Sequence, residues 1–246
     1  MKKTVLFSVM LAGAATCLAG SSTVSSANAI GLMEVADASK DYLLVAVPWL
    51  DYGTGNESIN VADLIKTANL TAGDKLYVSD GSNYDTYVLQ NNAWVPTKKA
   101  SVSATGVVTE DESTPASART VQRGDAIWLK RSAKNTFYIF GQKPDTATVT
   151  VNLADGMNIV ASPAADGLAL SSFTTGCEAG DEIIVSGNSG EEAHYYFRVP
   201  TGGSVACWCK VQKSGIRKSY VAATETIPAG TGFWYKTTGV GRNITF

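Results

Sequence analysis

The chain has 246 residues, with 20 Lys and Arg, 22 Asp and Glu, a single His, and a formal net charge of -2. A charge so close to neutral argues against nucleic acid and anionic membrane surfaces as partners, because domains that bind them have a pI above roughly 9. One histidine leaves little room for histidine acid–base pairs or multi-histidine metal sites.

The first 29 residues have the pattern of a secretory signal peptide. Lys2 and Lys3 give a basic start, residues 5–18 form an uncharged apolar run, and Ala27-Asn28-Ala29 is a small-x-small cleavage signature. The apolar run is shorter than the ~20 residues of a membrane-spanning helix, and no later run replaces it. We therefore expect cleavage near Ala29, export to the periplasm, the cell surface or the extracellular space, and no transmembrane helix.

A glycine-rich loop with two aromatic residues follows the first apolar run of the mature chain. It contains Trp49, Asp51, Tyr52 and Asn56. Aromatic rings can stack on the C–H faces of a sugar while a carboxylate and an amide bond its hydroxyls, so these four residues are a candidate ligand site. The alternative is that Trp49 packs over the end of a hydrophobic core.

The rest of the chain is typical of β structure. Short runs of β-branched and aromatic residues, bounded by Gly, Asn, Asp or Ser, predict strands. One short helix is predicted after Ser58 or Asn60, with one side lined by Ile59, Ala62, Leu64 and Ile65. Strands are predicted at 74–79, 86–89, 126–129, 136–140, 182–185, 195–199 and 232–235. The pattern predicts an all-β protein made of β-sandwich or barrel-like modules, each with at most one short helix.

Two polar stretches interrupt this pattern. Residues 101–120 are rich in Ser, Thr and Ala, and we expect them to form a mobile loop. A basic stretch with Lys210, Lys213, Arg217 and Lys218 falls in a predicted hairpin. It is either a solvated loop or a contact for an anionic glycan or an acidic partner.

Three cysteines remain once Cys17 is removed with the signal peptide. Cys207 and Cys209 flank Trp208 in a predicted strand, so they share a face and do not readily bridge each other at the Cα spacing of a disulfide. In an exported protein we expect Cys177 to bond Cys207 or Cys209, which leaves one odd thiol. The spacing of these cysteines and His194 does not fit structural zinc, and we predict no metal site and no cofactor.

An internal repeat divides the mature chain. Four segments recur in the same order, with 45–48 matching 160–163, 72–79 matching 179–186, 93–95 matching 207–209, and 124–130 matching 230–236. We predict a lead-in at 30–39, a β module at 40–142, a linker at 143–149 and a second β module at 150–246. Residues that both modules share are explained by their common fold, and residues that one module alone carries are better functional candidates.

The paired tryptophans belong to the shared group. Trp94 matches Trp208, and Trp128 matches Trp234. Aromatic residues in strands usually pack in a core or against a neighbouring strand. We therefore predict a structural role for all four.

The end of the second module carries a resemblance. Its closing segment, Ile227-Pro228-Ala229-Gly230-Thr231-Gly232-Phe233-Trp234, resembles the I-x-x-G-x-G-F-W strand of a β-rich tandem repeat in exported bacterial surface proteins. The first module departs from this motif with Val121-Gln122-Arg123-Gly124-Asp125-Ala126-Ile127-Trp128. The resemblance implies a surface location and a β fold, and implies nothing about a substrate.

No serine-hydrolase elbow, Walker loop, dinucleotide fingerprint or zinc-protease motif occurs in the sequence. We expect a non-catalytic cell-surface or envelope protein for adhesion, envelope structure or glycan binding, with a glycan or a surface protein as partner. One alternative is an outer-membrane β-barrel, suggested by Phe246 and Ile244, although the predicted strands are shorter than the ~9–11 residues needed. The other is a hydrolase with a cleft between the modules, since paired carboxylates need not be close in sequence.

Overall fold

The computed structural model describes most of the chain after residue 29. The described residues are 30–35, 42–47, 49–51, 55–64, 70–79, 83–102, 108–133, 137–142, 144, 148–164, 166–186, 191–214 and 216–246. The fold is nearly all β, with 54% strand and one short helix among the described residues, which confirms the predicted fold class. Within those residues, no helix has the length and apolar character needed to cross a membrane.

The described residues of the first half of the chain form ten strands and the helix. They are β1 (Ile30–Val35), β2 (Tyr42–Ala46), β3 (Ser58–Asn60), α1 (Val61–Leu64), β4 (Lys75–Ser79), β5 (Tyr84–Gln90), β6 (Ala93–Val102), β7 (Val108–Glu112), β8 (Thr120–Gln122), β9 (Ala126–Lys130) and β10 (Phe137–Gln142). We call these elements the first unit. Strand β1 lies in the predicted lead-in and pairs with β10, so the first unit begins at Ile30.

The second half forms ten further strands. They are β11 (Thr150–Leu153), β12 (Met157–Ala161), β13 (Leu168–Ala169), β14 (Glu182–Ser186), β15 (Glu192–Arg198), β16 (Cys207–Ser214), β17 (Arg217–Ala222), β18 (Thr226–Ile227), β19 (Gly232–Lys236) and β20 (Arg242–Thr245). We call these elements the second unit.

The two units pair their strands in the same order. The first unit has a six-stranded sheet, β2-β9-β4-β5-β6-β7, and the pairs β1-β10 and β3-β8. The second unit has the sheet β12-β19-β14-β15-β16-β17 and the pairs β11-β20 and β13-β18. Each strand of the first unit therefore corresponds to the strand ten places later, and the pairing registers identify equivalent residues.

Each unit packs one face of its large sheet over a hydrophobic core. In the first core Leu76, Tyr87 and Leu129 are fully buried, and in the second Trp208 and Phe233 are fully buried. Strand periodicity explains this, because successive side chains point to opposite faces. Burial of each large apolar side chain contributes roughly 1.5–3 kcal/mol.

An aspartate sits at the entrance of the fourth strand of each unit. Asp74 and Asp181 are both 0% exposed. Each follows a glycine with positive φ, +95° at Gly73 and +101° at Gly180, a conformation that side chains other than glycine rarely adopt. The repeated Gly-Asp step therefore turns the chain and places a carboxylate inside the fold.

The two units meet across an approximate two-fold axis. The backbone N–H of Ala46 donates to the Gly230 carbonyl at 2.9 Å, and the equivalent N–H of Ala161 donates to the Gly124 carbonyl at 2.8 Å. Two matching bridges, Val45 with Thr231 and Val160 with Asp125, lie beside them. Each side of the contact thus uses the same surface, as in the interface of a symmetric dimer.

The expectation of a mobile loop at 101–120 is wrong for the part that the structure describes. Strand β6 continues to Val102, and β7 pairs with it, placing Glu112 opposite Lys98. Opposite charges across a strand pair favour the hairpin. Ser113 and Ala116, which follow β7, are buried. The segment is therefore ordered although its composition is polar.

Candidate functional site

The glycine-rich loop does not form the predicted aromatic site. Trp49 is 6% exposed and belongs to the core of the first unit. It packs so closely on Gly141 that an added Cβ there would lie 2.6 Å from the Trp49 Cβ. Its ring therefore offers no open face to a sugar, as the packing alternative expected.

Asp51 and Asn56 belong to the same prediction. Asp51 is partly exposed and Asn56 is exposed, and the Asp51 backbone N–H donates to the Asn56 carbonyl at 2.9 Å. The loop thus closes on itself. Tyr52 lies outside the described residues.

A different aromatic surface lies on the outer face of the first large sheet. Four neighbouring strands, β2, β9, β4 and β5, each supply one ring. These are Tyr42, Trp128, Tyr77 and Tyr84, which line a shallow groove of about 400 Å³. At about 4.8 Å between strands, the four rings cover about 14 Å of surface. We call this set the aromatic face.

The aromatic face is accessible and built from rings at stacking distance. Tyr42 is 47% exposed, and its ring centroid lies 6.4 Å from that of Tyr77. Lys130 Nζ lies 4.9 Å from the centre of the Tyr42 ring, which is a cation–π contact. The Lys130 ammonium group therefore lies against one side of the Tyr42 ring. The four rings together form an open apolar surface.

The hydroxyls of Tyr77 and Tyr84 remain protonated at neutral pH, whereas a hydrogen bond with Lys130 lowers the pKa of Tyr42 from its ordinary value. Burial raises the pKa of Tyr77 and of Tyr84 above the ordinary value, while a hydrogen bond with Trp128 acts in the opposite direction on Tyr84. The hydroxyls of Tyr77 and Tyr84 are therefore neutral groups that can donate and accept hydrogen bonds beside the rings.

The second unit does not reproduce the aromatic face. The register pairs Tyr42 with Lys130 and Met157 with Lys236, so Met157 takes the place of Tyr42. By the same comparison, Ile184 takes the place of Tyr77, and Glu192 takes the place of Tyr84. Only the tryptophan is kept, because Trp234 matches Trp128. Since the same fold forms without them, the three tyrosines are not needed for folding.

The aromatic face continues into a cleft between the units. Trp128 and Trp234 pack together with their ring centroids 6.4 Å apart. Tyr84 lines both the groove and the cleft, which has a volume of about 340 Å³. The polar side chains of the cleft come from both units and, besides the Tyr84 hydroxyl, are Ser79, Asn83, Arg119, Thr120, Asp125, Asn152 and Asn158. Aromatic walls with a few polar groups are the usual make-up of a small-molecule site.

Three of the polar groups in the cleft are held by the fold. Arg119 Nε lies 3.3 Å from the buried Asp85 carboxylate, and the Asn158 amide donates to the Ala154 carbonyl at 3.0 Å. The Gln122 backbone N–H donates to Asp125 Oδ2 at 2.8 Å. Burial nevertheless raises the pKa of Asp125 above its ordinary value. The cleft therefore presents fixed hydrogen-bonding groups rather than mobile ones.

The predicted disulfide from Cys177 is not formed. Cys177, Cys207 and Cys209 are all free thiols. Cys177 packs against the core of the second unit, the side to which Trp208 points, whereas Cys207 and Cys209 alternate with Trp208 and lie on the other face of β16. The sheet therefore stands between the two groups of sulfurs.

The sequence held a signal for the aromatic face. Tyr77 lies between Leu76 and Val78, and Trp128 lies between Ile127 and Leu129. All four neighbours are buried in the core, so strand alternation directs both rings outward. Trp128 and Trp234 occur in both units, which favours a structural role for them. That comparison does not reveal the outward tyrosines beside Trp128, which only one unit has.

Comparison with known proteins adds no identification. No family model, no curated protein and no solved structure matches the chain. The functional argument consequently depends on the aromatic face and the cleft.

Proposed function

We propose that the protein is a non-catalytic carbohydrate-binding protein of the bacterial cell surface or envelope, and that it holds a glycan on the aromatic face. The observation that carries the proposal is the row of Tyr42, Trp128, Tyr77 and Tyr84 on four adjacent strands. The second unit keeps the fold and lacks the tyrosines. Selection for folding alone does not explain these three residues.

The chemistry of the site favours a sugar over a purely apolar ligand. The rings offer flat faces for the C–H groups of a pyranose, and the tyrosine hydroxyls lie beside them. Asn152 and Asp125 supply oxygen and nitrogen atoms at the cleft end. A glycan of several units could lie along the groove with one end in the cleft, where its hydroxyls meet the polar groups.

Export is part of the proposal. The basic start, the apolar run of residues 5–18 and the Ala27-Asn28-Ala29 signature support secretion. The resemblance of the closing segment at 227–234 to exported surface repeats supports a place on the cell surface. Surface glycans of the cell itself or of a host are then the accessible ligands.

A glycan array of the purified protein tests the proposal. We expect the wild type to bind a defined group of oligosaccharides, and Tyr42→Ala with Tyr77→Ala to weaken binding at least about tenfold, because buried aromatic contacts carry much of the binding energy of an interface. The pair Tyr42→Phe with Tyr77→Phe keeps both rings and should retain most of the affinity.

Two results would count against the proposal. One is the absence of binding to any glycan by a folded wild-type protein. The other is equal binding by the wild type and the alanine pair, which would remove the aromatic face from the interaction.

A hydrolase with its active site in the inter-module cleft is a second candidate. The raised pKa of Asp125 in that cleft is the observation that favours it, because a protonated carboxyl can act as a general acid. Asp125 is the one carboxylate among the described residues that line the cleft, whereas glycoside hydrolysis usually uses two. Release of reducing sugar from a bound oligosaccharide, abolished by Asp125→Asn, would establish this activity in place of simple binding.

A further inference from the structure

Two thiols lie side by side on strand β16. Cys207 and Cys209 are two residues apart, so both side chains point to the same face of the sheet. Their sulfur atoms are 3.8 Å apart. We propose that these two cysteines form a reversible disulfide within the strand, so that the second unit carries a thiol–disulfide modification site. This site is separate from the aromatic face, and the proposal is independent of carbohydrate binding.

The third thiol of the described residues cannot take the place of either partner. Cys177 packs with Phe173, Trp208 and Tyr235 on the core side of the sheet. A bond from Cys177 to β16 would have to cross the sheet. The sulfur atoms of Cys207 and Cys209 need only to approach each other, by a rotation of the two side chains and a small shift of the strand.

The extended strand disfavours a bond between Cys207 and Cys209, and the same spacing makes the bond labile once it has formed. An extended strand rises about 3.4 Å per residue, so residues two apart have Cα atoms separated by about 6.8 Å, at the upper end of the range that disulfides tolerate. Closing the bond pulls β16 out of register with Arg198 on β15 and Ala222 on β17. A disulfide that strains its surroundings is easily reduced, as expected of a reversible bond rather than a structural one.

The exposure of the two sulfurs sets the order of the reaction. Cys207 is half-buried and Cys209 is fully buried, so an external disulfide reaches Cys207 first. Burial raises the pKa of Cys209 to about 11, and its thiol attacks only when a sulfur is already beside it.

The chemistry balances with one disulfide oxidant such as oxidised glutathione. The Cys207 thiolate attacks a glutathione sulfur, forms a mixed disulfide and releases one glutathione thiolate. Cys209 then loses its proton and attacks the Cys207 sulfur, releasing the second glutathione. In total the two cysteines lose two electrons and two protons, and one glutathione disulfide becomes two thiols.

Peptide mass mapping tests the proposal on the full-length wild-type protein. The native protein is incubated with oxidised glutathione, unfolded in acid, labelled with a maleimide and digested with trypsin. Residues 199–210 form one peptide with both cysteines, and Cys177 falls in another. We expect the 199–210 peptide to lose both labels and to be lighter by two hydrogens, and a reducing dithiol to restore both labels.

Two variants separate the proposed bond from other outcomes. Cys209→Ser should stop the reaction at a glutathione adduct on Cys207, and Cys177→Ser should leave the 199–210 result unchanged. A wild-type peptide that keeps both labels, or that accumulates the glutathione adduct without closing, would overturn the proposal.

Discussion

Two aspartates organise the interior of the units, with equivalent hydrogen bonds from the Ser132 and Thr238 backbone N–H groups and with partners that differ. Asp74 accepts hydrogen bonds from the Ser132 backbone N–H at 2.6 Å and from Arg131 Nε at 3.1 Å. Asp181 instead accepts the Tyr235 hydroxyl at 2.6 Å and lies 3.2 Å from the Arg242 guanidinium. Both units have the buried carboxylate, whereas the cation comes from the residue after β9 in the first unit and from strand β20 in the second. Burial and this hydrogen bond raise the pKa of Tyr235 far above its ordinary value, which keeps the hydroxyl a donor.

Asp74→Ala should strongly destabilise the protein. The side chains of Arg131 and Asp74 are 1% and 0% exposed, and removing one partner of a buried ion pair costs about 3–5 kcal/mol. Urea denaturation measures the loss, with Asp166→Ala as a control because that aspartate is exposed. A loss below about 1 kcal/mol would show that the buried carboxylate is not needed.

Cys177 should react slowly with alkylating agents. Burial raises its pKa to about 11 from an ordinary value of 9.0, and the thiolate is the reactive form. At pH 8 the thiolate fraction, and with it the alkylation rate, should be roughly 100-fold below that of the same cysteine in urea, and should rise with pH up to about 11. Equal rates in native and unfolded protein would contradict this environment.

At the scale of strands, sequence patterns predicted position better than direction. The runs predicted at 74–79, 126–129, 182–185 and 232–235 correspond to β4, β9, β14 and β19 within a residue or two. β-Branched and aromatic residues between turn residues are enough to locate such strands. The repeat also predicted which strands are equivalent, because the differences in length between the two units fall in the loops.

The sequence does not predict so easily whether an individual side chain points into the core or toward solvent. Trp49 lies beyond the end of β2, where no alternation fixes its direction, and it turned into the core. Cys177 lies in a turn, and its distance from β16 depends on how the chain folds over the core. Such contacts between distant segments are set by tertiary packing, which a local pattern does not contain.

Strand β19 also explains a glycine of the closing motif. A Cβ at Gly232 would lie 2.5 Å from the Ala126 Cβ and 2.7 Å from Leu44 Cγ, which are side chains of the other unit. Ala126 occupies the equivalent position in the first unit. Ala126 and Gly232 therefore contact each other at the axis, and there is room for the Cβ of Ala126 only because residue 232 is a glycine.

Gly232→Val should therefore force the units apart. The extra methyl groups collide with Ala126 and Leu44, and overpacking of this kind costs about 1–3 kcal/mol. We expect faster hydrogen exchange at the Ala46 and Ala161 amides, which donate across the interface. Ala222→Val on exposed β17 is the matched control, and equal exchange in both variants would contradict the packing at the axis.

At the scale of the molecule, a duplicated fold carries a site that is not duplicated. The interface uses equivalent residues on both sides, with Val45 and Val160 in the same role. The aromatic face breaks that symmetry, because Met157, Ile184 and Glu192 occupy the places of its three tyrosines. One unit thus presents the proposed ligand surface, and the other contributes Trp234 and a wall of the cleft.

Calorimetric titration with the best oligosaccharide from the array measures this asymmetry directly. We expect one binding site per chain, with the heat of binding lost in the double variant Tyr42→Ala with Tyr77→Ala. Two equivalent sites per chain, or one site that survives this substitution, would contradict the assignment of function to the aromatic face.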